Sequence, residues 1–317
     1  MTVTLAPMEG VVDQHMRDIL TRIGGIDLCV SEFIRVSGGL YPRRVFLDIC
    51  PELDNEGKTA AGTPVHVQLM GGDVSLLAES AEKVAGYGAP GIDLNFGCPA
   101  KTVNRHDAGA TLLQWPDRLH DITSAVRRAV PDHIPVSAKM RLGFEDKSLY
   151  LENAKAIEEA GASKLTIHAR TKMEGYKPPA HWEYLVPIKE QLGITVVANG
   201  EIWTKEDFEA CRDVCGYEHY MLGRGLIARP SLALEVKGDA SDMFEASKIL
   251  DLIIDYNQLL KSIDHPTRRA GRLKQWIKLL GRTYEDCRVI FDKIRRLKTS
   301  EEIISYVHIY KTNLVNQ

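Results

Sequence analysis

Eight short runs of β-branched and other apolar residues divide the first 225 residues, and a stretch with helical spacing of apolar positions follows each run. Successive runs start 24 to 44 residues apart, which is about the length of one strand and one helix. Strands that alternate with helices form parallel sheets, and eight such units close into a barrel. We therefore predict an α/β protein with a (β/α)₈ TIM barrel. The runs begin at Val3, Asp27, Pro64, Gly91, Pro135, Lys164, Ile194 and His219.

Between the runs, apolar residues three and four positions apart predict amphipathic helices that end in glycine, as in residues 75–90, 148–163 and 204–217. The β-rich runs stop near residue 238, and the remaining segments have helical spacing only. We predict two domains, a catalytic barrel over residues 1–238 and a small C-terminal helical bundle over residues 239–317.

The composition, with 44% hydrophobic and 26% charged residues, excludes collagen-like and wholly disordered chains. There is no run of 18 apolar residues and no signal-peptide pattern, so we expect a cytoplasmic protein that does not bind a membrane. The six cysteines form no C-x-x-C pair, and Cys211 and Cys215 are expected to pack on one buried helix face. The histidines form no metal-binding cluster, so no metal is predicted.

The net charge of −3 hides an uneven distribution along the chain. Residues 1–238 carry 26 basic against 32 acidic side chains, a net −6, whereas residues 268–298 carry 11 against 3, a net +8. Lys274, Lys278 and Arg282 follow at four-residue steps, as on one helix face. This basic band is compatible with a nucleic-acid contact or with an ordinary solvated helix face.

Candidate chemistry collects where the predicted strands end, which is where barrels build active sites. The last two strand ends, ANGEI and GRG, are glycine-rich and predict a phosphate site for the ligand. The residues at the eight ends are Pro7, Met8 and Glu9; Glu32 and Arg35; Gln68; Asn95 and Cys98; Lys139 and Arg141; His168 and Arg170; Asn199, Gly200 and Glu201; and Gly223 and Arg224.

Two of these residues admit more than one role. Cys98 lies in the loop of DLNFGCP, where a thiol with a pKa of about 8.5 could act as a general acid or, with a base beside it, as a nucleophile. Lys139 could form a Schiff base, neutralise a phosphate or hold negative charge on a reduced cofactor. GRGLIA matches the loose dinucleotide pattern, but it closes the eighth unit instead of opening a Rossmann fold.

Taken together, the motifs LAPMEG, VQLMG, NFGCPAKTVNRHDAGATLL, VSAKMRLG, IHART, VANGEI and GRG resemble those of the tRNA-dihydrouridine synthases, over nearly the whole chain. These FMN-dependent enzymes reduce a uracil ring in tRNA at the cost of NADPH. Within the family, SEFIRV, ICPEL, GCPAKTVN and RLKQW are most similar to the bacterial C type, which modifies uridine 16 in the D-loop.

The resemblance implies a reaction and the residues for it. Hydride would pass from reduced FMN to C6 of uracil, and Cys98 would protonate C5; Asn95 would orient the uracil, with Lys139 and His168 along the flavin edge. The implied FMN contacts are Pro7, Met8, Glu9, Gln68, Lys139, His168, Asn199, Gly200, Glu201, Gly223 and Arg224. Candidate tRNA contacts are Arg35, Asn95, Arg141, Arg170, Tyr176, Arg272, Lys274, Lys278 and Arg282.

Arg272 and Lys274 lie two residues apart, about 200° around a helix, so we expect them to point in different directions. We further expect a monomer that binds tRNA and not DNA.

Four alternatives remain open at this point. The reaction could take place at another D-loop uridine, uridine 20, or an FMN barrel could reduce an unattached small molecule. Lys139 could serve a flavin-free aldolase, or the chain could be a tRNA-binding or folding module that has lost catalysis. No dedicated motif indicates how NADPH docks.

Overall fold

The computed structural model describes residues 1–100, 107–240 and 242–315, and a closed parallel barrel forms the larger part of them. The barrel is closed where the first strand pairs with the last, with Thr2 opposite His219 and Leu5 opposite Leu222. The predicted TIM barrel is therefore confirmed. Its strands are β1 (Thr2–Leu5), β2 (Leu28–Val30), β3 (Ile34–Arg35), β4 (Val65–Met70), β5 (Ile92–Phe96), β6 (Val136–Gly143), β7 (Lys164–Thr171), β8 (Thr195–Asn199) and β9 (His219–Leu222).

The predicted second strand is divided into β2 and β3, which differs from the single run expected from the sequence. Cys29 lies opposite Val65, whereas Ile34 lies opposite Leu69, so the register against β4 slips by one residue. At the break, the Ser31 Oγ accepts the backbone N–H of Gln68 at 3.0 Å. This side chain takes the place of a ladder carbonyl, and such a substitution is not visible in the apolar pattern.

Helices follow the strands and then form the C-terminal region, as predicted. Gly216 shows how one of them ends: it adopts φ 61° and donates its N–H to Arg212 O at 2.7 Å. The helices in the described residues are α1 (Gln14–Ile23), α2 (Arg43–Ile49), α3 (Val74–Gly86), α4 (Pro116–Ala129), α5 (Tyr150–Glu159), α6 (Leu185–Gln191), α7 (Lys205–Cys215), α8 (Arg224–Ala228), α9 (Leu232–Lys237), α10 (Ala246–Leu260), α11 (Pro266–Leu280), α12 (Glu285–Ile294) and α13 (Ser300–Val315).

The barrel strands bury apolar side chains outward, against the helices, and polar side chains inward. On β4, Val67 and Leu69 belong to the main hydrophobic core, whereas Gln68 between them bonds to the side chains of Asp93 and Asn95 on β5. This period-two alternation follows from strand geometry. Cys211 and Cys215 pack on the buried face of α7 with their sulfur atoms 3.9 Å apart, as their spacing predicted.

The C-terminal helices pack against the barrel through buried side chains. Trp276 of α11 is 1% exposed and donates its indole N–H to Ile227 O of α8 at 3.1 Å. Its ring contacts Tyr256 of α10 edge-on, with centroids 4.8 Å apart. Gly238, at φ 82°, ends α9 next to the expected domain boundary, which remains a prediction. Within the described ranges, no helix is both long and apolar enough to cross a membrane.

Candidate active site

A cavity of about 510 Å³ lies at the C-terminal ends of the barrel strands, and Leu279 of α11 contributes to its lining. Residues far apart in sequence meet there because the carboxyl ends of parallel strands lie at one end of a barrel. Cys98, Asn95 and all the predicted cofactor-binding residues line it, namely Pro7, Met8, Glu9, Gln68, Lys139, His168, Asn199, Gly200, Glu201, Gly223 and Arg224.

The backbone at Cys98 is held in place by the side chain of Asn95. The Asn95 Oδ1 accepts the N–H of Gly97 at 3.0 Å and that of Cys98 at 2.9 Å, which fixes the loop after β5. Burial raises the pKa of the Cys98 thiol, and the nearby Glu9 carboxylate raises it further. The side chain therefore keeps its proton at neutral pH, as a general acid must and an activated nucleophile must not. Lys101 and Val103, which belong to the same sequence motif, lie outside the described residues.

Lys139 and Asn199 form a polar pair on the cavity floor. The Lys139 Nζ donates to Asn199 Oδ1 at 3.1 Å, and Asn199 Nδ2 donates to Met221 O at 2.7 Å. Burial lowers the pKa of Lys139 to about 8, and the Arg141 charge adds to this. Lys139 is thus cationic at neutral pH and loses its charge just above it.

His168 stays neutral among cations. Burial lowers the pKa of its imidazole well below the ordinary value, and the charges of Arg141, Lys139 and Arg170 act in the same direction. The ring is 6% exposed and lies 3.3 Å from Arg170 through Nε2. A neutral imidazole can either donate or accept a hydrogen bond at the cavity.

Glu201 organises the end of β8. It has φ 58°, a left-handed conformation, and its carboxylate pairs with Arg170, lies 3.5 Å from Arg224 and accepts the Trp203 indole N–H at 3.0 Å. Burial alone would raise the pKa of Glu201, but the hydrogen bonds from Arg170 and Trp203 and the two arginine charges lower it. This carboxylate balances two arginines that would otherwise repel each other.

Arg141 and Arg170, predicted as tRNA contacts, are both almost fully buried. Arg141 donates to Gly97 O at 2.8 Å and to Gly175 O at 2.9 Å, and so ties the loop after β5 to the loop after β7. Arg170 donates to Lys177 O at 2.7 Å. The hydrogen bonds of these two guanidinium groups go to acceptors of the protein itself, and a contact with RNA stays a prediction.

Aromatic rings and arginines alternate along the rim of the cavity. The Arg224 guanidinium lies 4.9 Å from the centroid of the Tyr176 ring and 4.8 Å from that of the Trp203 ring. The Arg282 guanidinium also lies over the Trp203 ring, 4.1 Å from its centroid. Arg282 follows the end of α11 at Leu280, so it does not continue the helix face that its spacing predicted. Through Trp203, these ring–guanidinium contacts connect the barrel loops with Arg282 of the C-terminal region.

The remaining predicted tRNA contacts lie outside the cavity. Arg35 is half-buried on β3, and Lys278 of α11 lies 5.9 Å from the Phe291 ring. Arg272 donates to Gly10 O and Val11 O and pairs with Asp13, whereas Lys274 donates to Leu297 O. The two side chains point apart, as their spacing predicted; whether they bind tRNA stays a prediction.

The sequence matches the model of the family "Dihydrouridine synthase" over residues 4–285. A tRNA-dihydrouridine(16) synthase of Aquipseudomonas alcaligenes is 49% identical over 307 residues, which cover 96% of this chain and 98% of the relative. The protein of the same name from Shewanella oneidensis is 50% identical over 304 residues, which cover 96% of each chain. The chain belongs to the dihydrouridine synthase family.

Solved structures with the same barrel confirm the fold of this dihydrouridine synthase. A variant of NCR, an old yellow enzyme homologue of Zymomonas mobilis, superposes with a TM-score of 0.51 over 77% of this chain and 88% of that one. The two sequences are 17% identical, so the likeness concerns the barrel architecture alone.

Sequence reasoning missed Trp203, which lines the cavity, and Asp93, which lies behind it in the barrel interior. Trp203 follows ANGEI directly, and an aromatic residue so close to a phosphate loop was a usable signal. Asp93, two positions before Asn95 on β5, faces the same side of the strand, and strand periodicity could have placed it in the barrel interior.

Proposed function

We propose that this protein is an FMN-dependent, NADPH-using enzyme that reduces uridine 16 in the D-loop of tRNA to 5,6-dihydrouridine. The observation that carries the proposal is the cavity, whose lining combines a thiol that keeps its proton with the polar and cationic groups expected of a flavin site. The choice of tRNA and of uridine 16 rests on the relatives, which are named tRNA-dihydrouridine(16) synthases and match over 96% of this chain.

The cavity fits a phosphorylated flavin in its shape and in its donor set. Apolar lining for a flat ring system comes from Ala6, Met8, Met221 and Leu222. A Cβ on Gly223 would lie 3.3 Å from the Ala6 side chain, so glycine at this position leaves space that a larger residue would fill. At the other end, the Arg224 side chain is 30% exposed and can reach a phosphate.

The residues that would hold FMN are those predicted at the strand ends. Gln68 and Asn95 would meet the polar edge of the ring, and Lys139 and His168 would stand beside the edge that gains negative charge. A bound flavin, itself reduced by NADPH, would supply hydride to C6 of the uracil.

Cys98 would hold and deliver the proton for C5. Its raised pKa keeps the proton on sulfur until carbon accepts it, and Asn95 and Arg141 together fix the loop that carries it. A proton donor in fixed geometry contributes about 10²- to 10⁴-fold to such a step.

The target base has to leave its stack to enter the cavity, at a cost of a few kcal/mol. Tyr176 lines the cavity and is 55% exposed, and Arg282 lies over Trp203, another lining residue. Base stacking on these rings and phosphate contacts of Arg282 and Lys278, both in the basic segment, could compensate for that cost. We propose these residues, with Arg35, as tRNA contacts.

The test uses the purified protein and unmodified tRNA transcripts. We expect a yellow protein that releases FMN on denaturation, is bleached by NADPH and then converts uridine 16 to dihydrouridine. A colourless protein that takes up no added FMN contradicts the flavin assignment. Dihydrouridine found at position 20 alone contradicts the site assignment, and reduction of unattached uridine as fast as tRNA points to a small-molecule substrate.

A further inference from the structure

A buried chain of hydrogen bonds runs from the barrel interior to the loop that carries Cys98. The Cys98 N–H donates to Asn95 Oδ1 at 2.9 Å, and Asn95 Nδ2 donates to Gln68 Oε1 at 2.8 Å. Gln68 Nε2 then donates to Asp93 Oδ2 at 2.7 Å, and Ser137 Oγ donates to Asp93 Oδ1 at 2.6 Å. The chain therefore ends at a carboxylate.

The residues of this hydrogen-bond chain are neighbours because of the strand register. Gln68 lies opposite Asp93 in the β4–β5 pair, and Asp93 lies opposite Ser137 in the β5–β6 pair. Asp93 and Asn95 are two residues apart on β5 and so face the same side. Asp93 is 1% exposed and Gln68 is fully buried, so solvent does not complete these bonds.

The groups at the two ends of this hydrogen-bond chain, the Asp93 carboxylate and the loop N–H groups, fix the orientation of the Gln68 and Asn95 side-chain amides. Burial raises the pKa of Asp93, whereas its hydrogen bonds from Gln68 and Ser137 and the charges of Lys139 and Lys164 lower it. In the structure both Asp93 oxygens accept hydrogen bonds, and with Asp93 as acceptor Gln68 has to turn its Nε2 toward Asp93 and its Oε1 toward Asn95. Backbone N–H groups only donate, so Asn95 has to turn its Oδ1 toward the loop. An amide reversed at either position would place two donors or two acceptors face to face, which is costly in a buried site.

We propose that Asp93 is a positioning residue for uridine reduction, acting through Gln68 and Asn95 to hold the loop that presents the Cys98 thiol. Asp93 does not line the cavity and touches no reacting atom. The inference deepens the proposed function and rests on it for its catalytic part, whereas the placement of Cys98 by Asp93 can be tested without turnover.

The variants separate loss of the acceptor from loss of packing. Asp93→Ala removes the acceptor and leaves the Gln68 amide without its partner. Asp93→Asn keeps an oxygen that can accept from Gln68, and its amide nitrogen can donate to Ser137. Ser137→Ala is the matched control, because it removes the other hydrogen bond of Asp93 at the same depth in the barrel and leaves the chain to Cys98 intact.

The first readout is the alkylation of Cys98 by iodoacetamide, followed by mass spectrometry of the intact protein and its peptides. Cys98 is half-buried, whereas the other five cysteines are buried and serve as internal controls for unfolding. We expect Asp93→Ala to raise the alkylation rate of Cys98 at least threefold, with Asp93→Asn and Ser137→Ala within twofold of wild type.

The second readout is single-turnover reduction of tRNA by protein reduced beforehand. We expect Asp93→Ala to slow this step about tenfold to a hundredfold, the size of effect expected when a reacting group is misplaced by about 1 Å, with tRNA affinity unchanged. Asp93→Asn should restore most of the rate.

Alkylation and turnover at wild-type rates in Asp93→Ala would overturn the proposal, as would equal losses in Asp93→Ala and Ser137→Ala that follow their melting temperatures. If wild-type protein does not reduce tRNA, the proposed function fails, and the alkylation series still decides whether Asp93 positions Cys98.

Discussion

At the scale of single residues, the chemistry depends on what burial does to titratable groups. The Cys98 thiol is stabilised in its neutral form, whereas Lys139 has its pKa lowered to about 8 and remains cationic at neutral pH. A protonated thiol and a cation therefore coexist in one cavity near pH 7. Unperturbed cysteine and lysine side chains are also protonated at this pH, but on raising the pH the cysteine loses its proton before the lysine. In this cavity the order is reversed, and Lys139 loses its proton before Cys98.

Substitution of the thiol separates the two halves of the reaction. In Cys98→Ala, NADPH should still bleach the flavin at close to the wild-type rate, because the proposed mechanism gives Cys98 no part in that step. Reduction of uridine in tRNA should fall about 10²- to 10⁴-fold, since the positioned proton donor is missing. Stopped-flow absorbance measures the first step and dihydrouridine content the second; wild-type uridine reduction in the variant would eliminate Cys98 as the proton donor.

The pH dependence of Cys98 follows from the direction of its pKa shift. Because the thiolate forms only above a raised pKa, alkylation of Cys98 at pH 7 should be slower than that of an exposed thiol and should keep increasing beyond pH 9. A titration of the alkylation rate between pH 6 and 10.5 measures this, with a cysteine peptide as reference. A midpoint below that of the peptide would mean that Cys98 is an activated nucleophile.

At the scale of elements, the turn after β8 shows how backbone conformation serves the site. Gly200 has φ 125°, and a Cβ there would lie 3.0 Å from Cδ2 of His168. Only glycine combines this conformation with the close approach of the imidazole. Glu201, next in sequence, also has a positive φ, so two consecutive residues shape the loop where the phosphate is proposed to bind.

Alanine at Gly200 should therefore be costly. We expect Gly200→Ala to lower the free energy of unfolding by about 1–3 kcal/mol and to weaken FMN retention, because the ring of His168 has to move. Gly271→Ala is the matched control: Gly271 lies within α11 with no atom near its Cβ position, so alanine should stabilise by about 0.5–1 kcal/mol. Urea titration measures both; no loss in Gly200→Ala would show that the turn tolerates a side chain.

The sequence predicted the elements well because periodicity records which side of an element is buried. The barrel, the four C-terminal helices α10 to α13 and the polar strand-end residues of the cavity follow from apolar spacing and strand ends. What it did not predict depends on single side chains that act on distant backbone. Ser31 breaks the second strand, and Asp93 joins a polar chain across three strands, and both effects require knowledge of the strand register.

At the scale of the whole molecule, the C-terminal helices brace the barrel loop next to the cavity. Arg272 of α11 donates to Gly10 O at 2.6 Å and Val11 O at 2.9 Å and pairs with Asp13 at 2.7 Å, and Gln275 donates to Gly10 O at 2.9 Å. This loop begins with Pro7, Met8 and Glu9, which line the cavity. The helical region is thus mechanically connected to the proposed cofactor site.

Arg272 should therefore affect stability as well as any RNA contact it makes. We expect Arg272→Ala to lower the free energy of unfolding by about 1–3 kcal/mol, because Val11 O and the Asp13 carboxylate lose the guanidinium and Gly10 O keeps only its bond from Gln275. Lys278→Ala, on the same helix, should change it by less than about 0.5 kcal/mol. Chemical denaturation measures both values. Equally small effects of the two substitutions would show that the Arg272 contacts do not stabilise the folded protein.

Binding of tRNA should depend steeply on salt if the basic band of residues 268–298 contacts phosphates. With about six contacts, affinity should fall roughly a thousandfold between 50 and 200 mM salt. Arg282→Ala should reduce the slope of log affinity against log salt by about one, without changing flavin content. An unchanged slope would place the RNA elsewhere.

The central proposal is that this dihydrouridine synthase reduces uridine 16, and mapping the modified base in cellular tRNA tests it most directly. The measurement compares dihydrouridine at each D-loop position in cells with the protein, without it, and with Cys98→Ala in its place. The account predicts that dihydrouridine at position 16 disappears in the second and third cases and stays unchanged at other positions. Loss at position 20 with position 16 intact, or no change at any position, would contradict it.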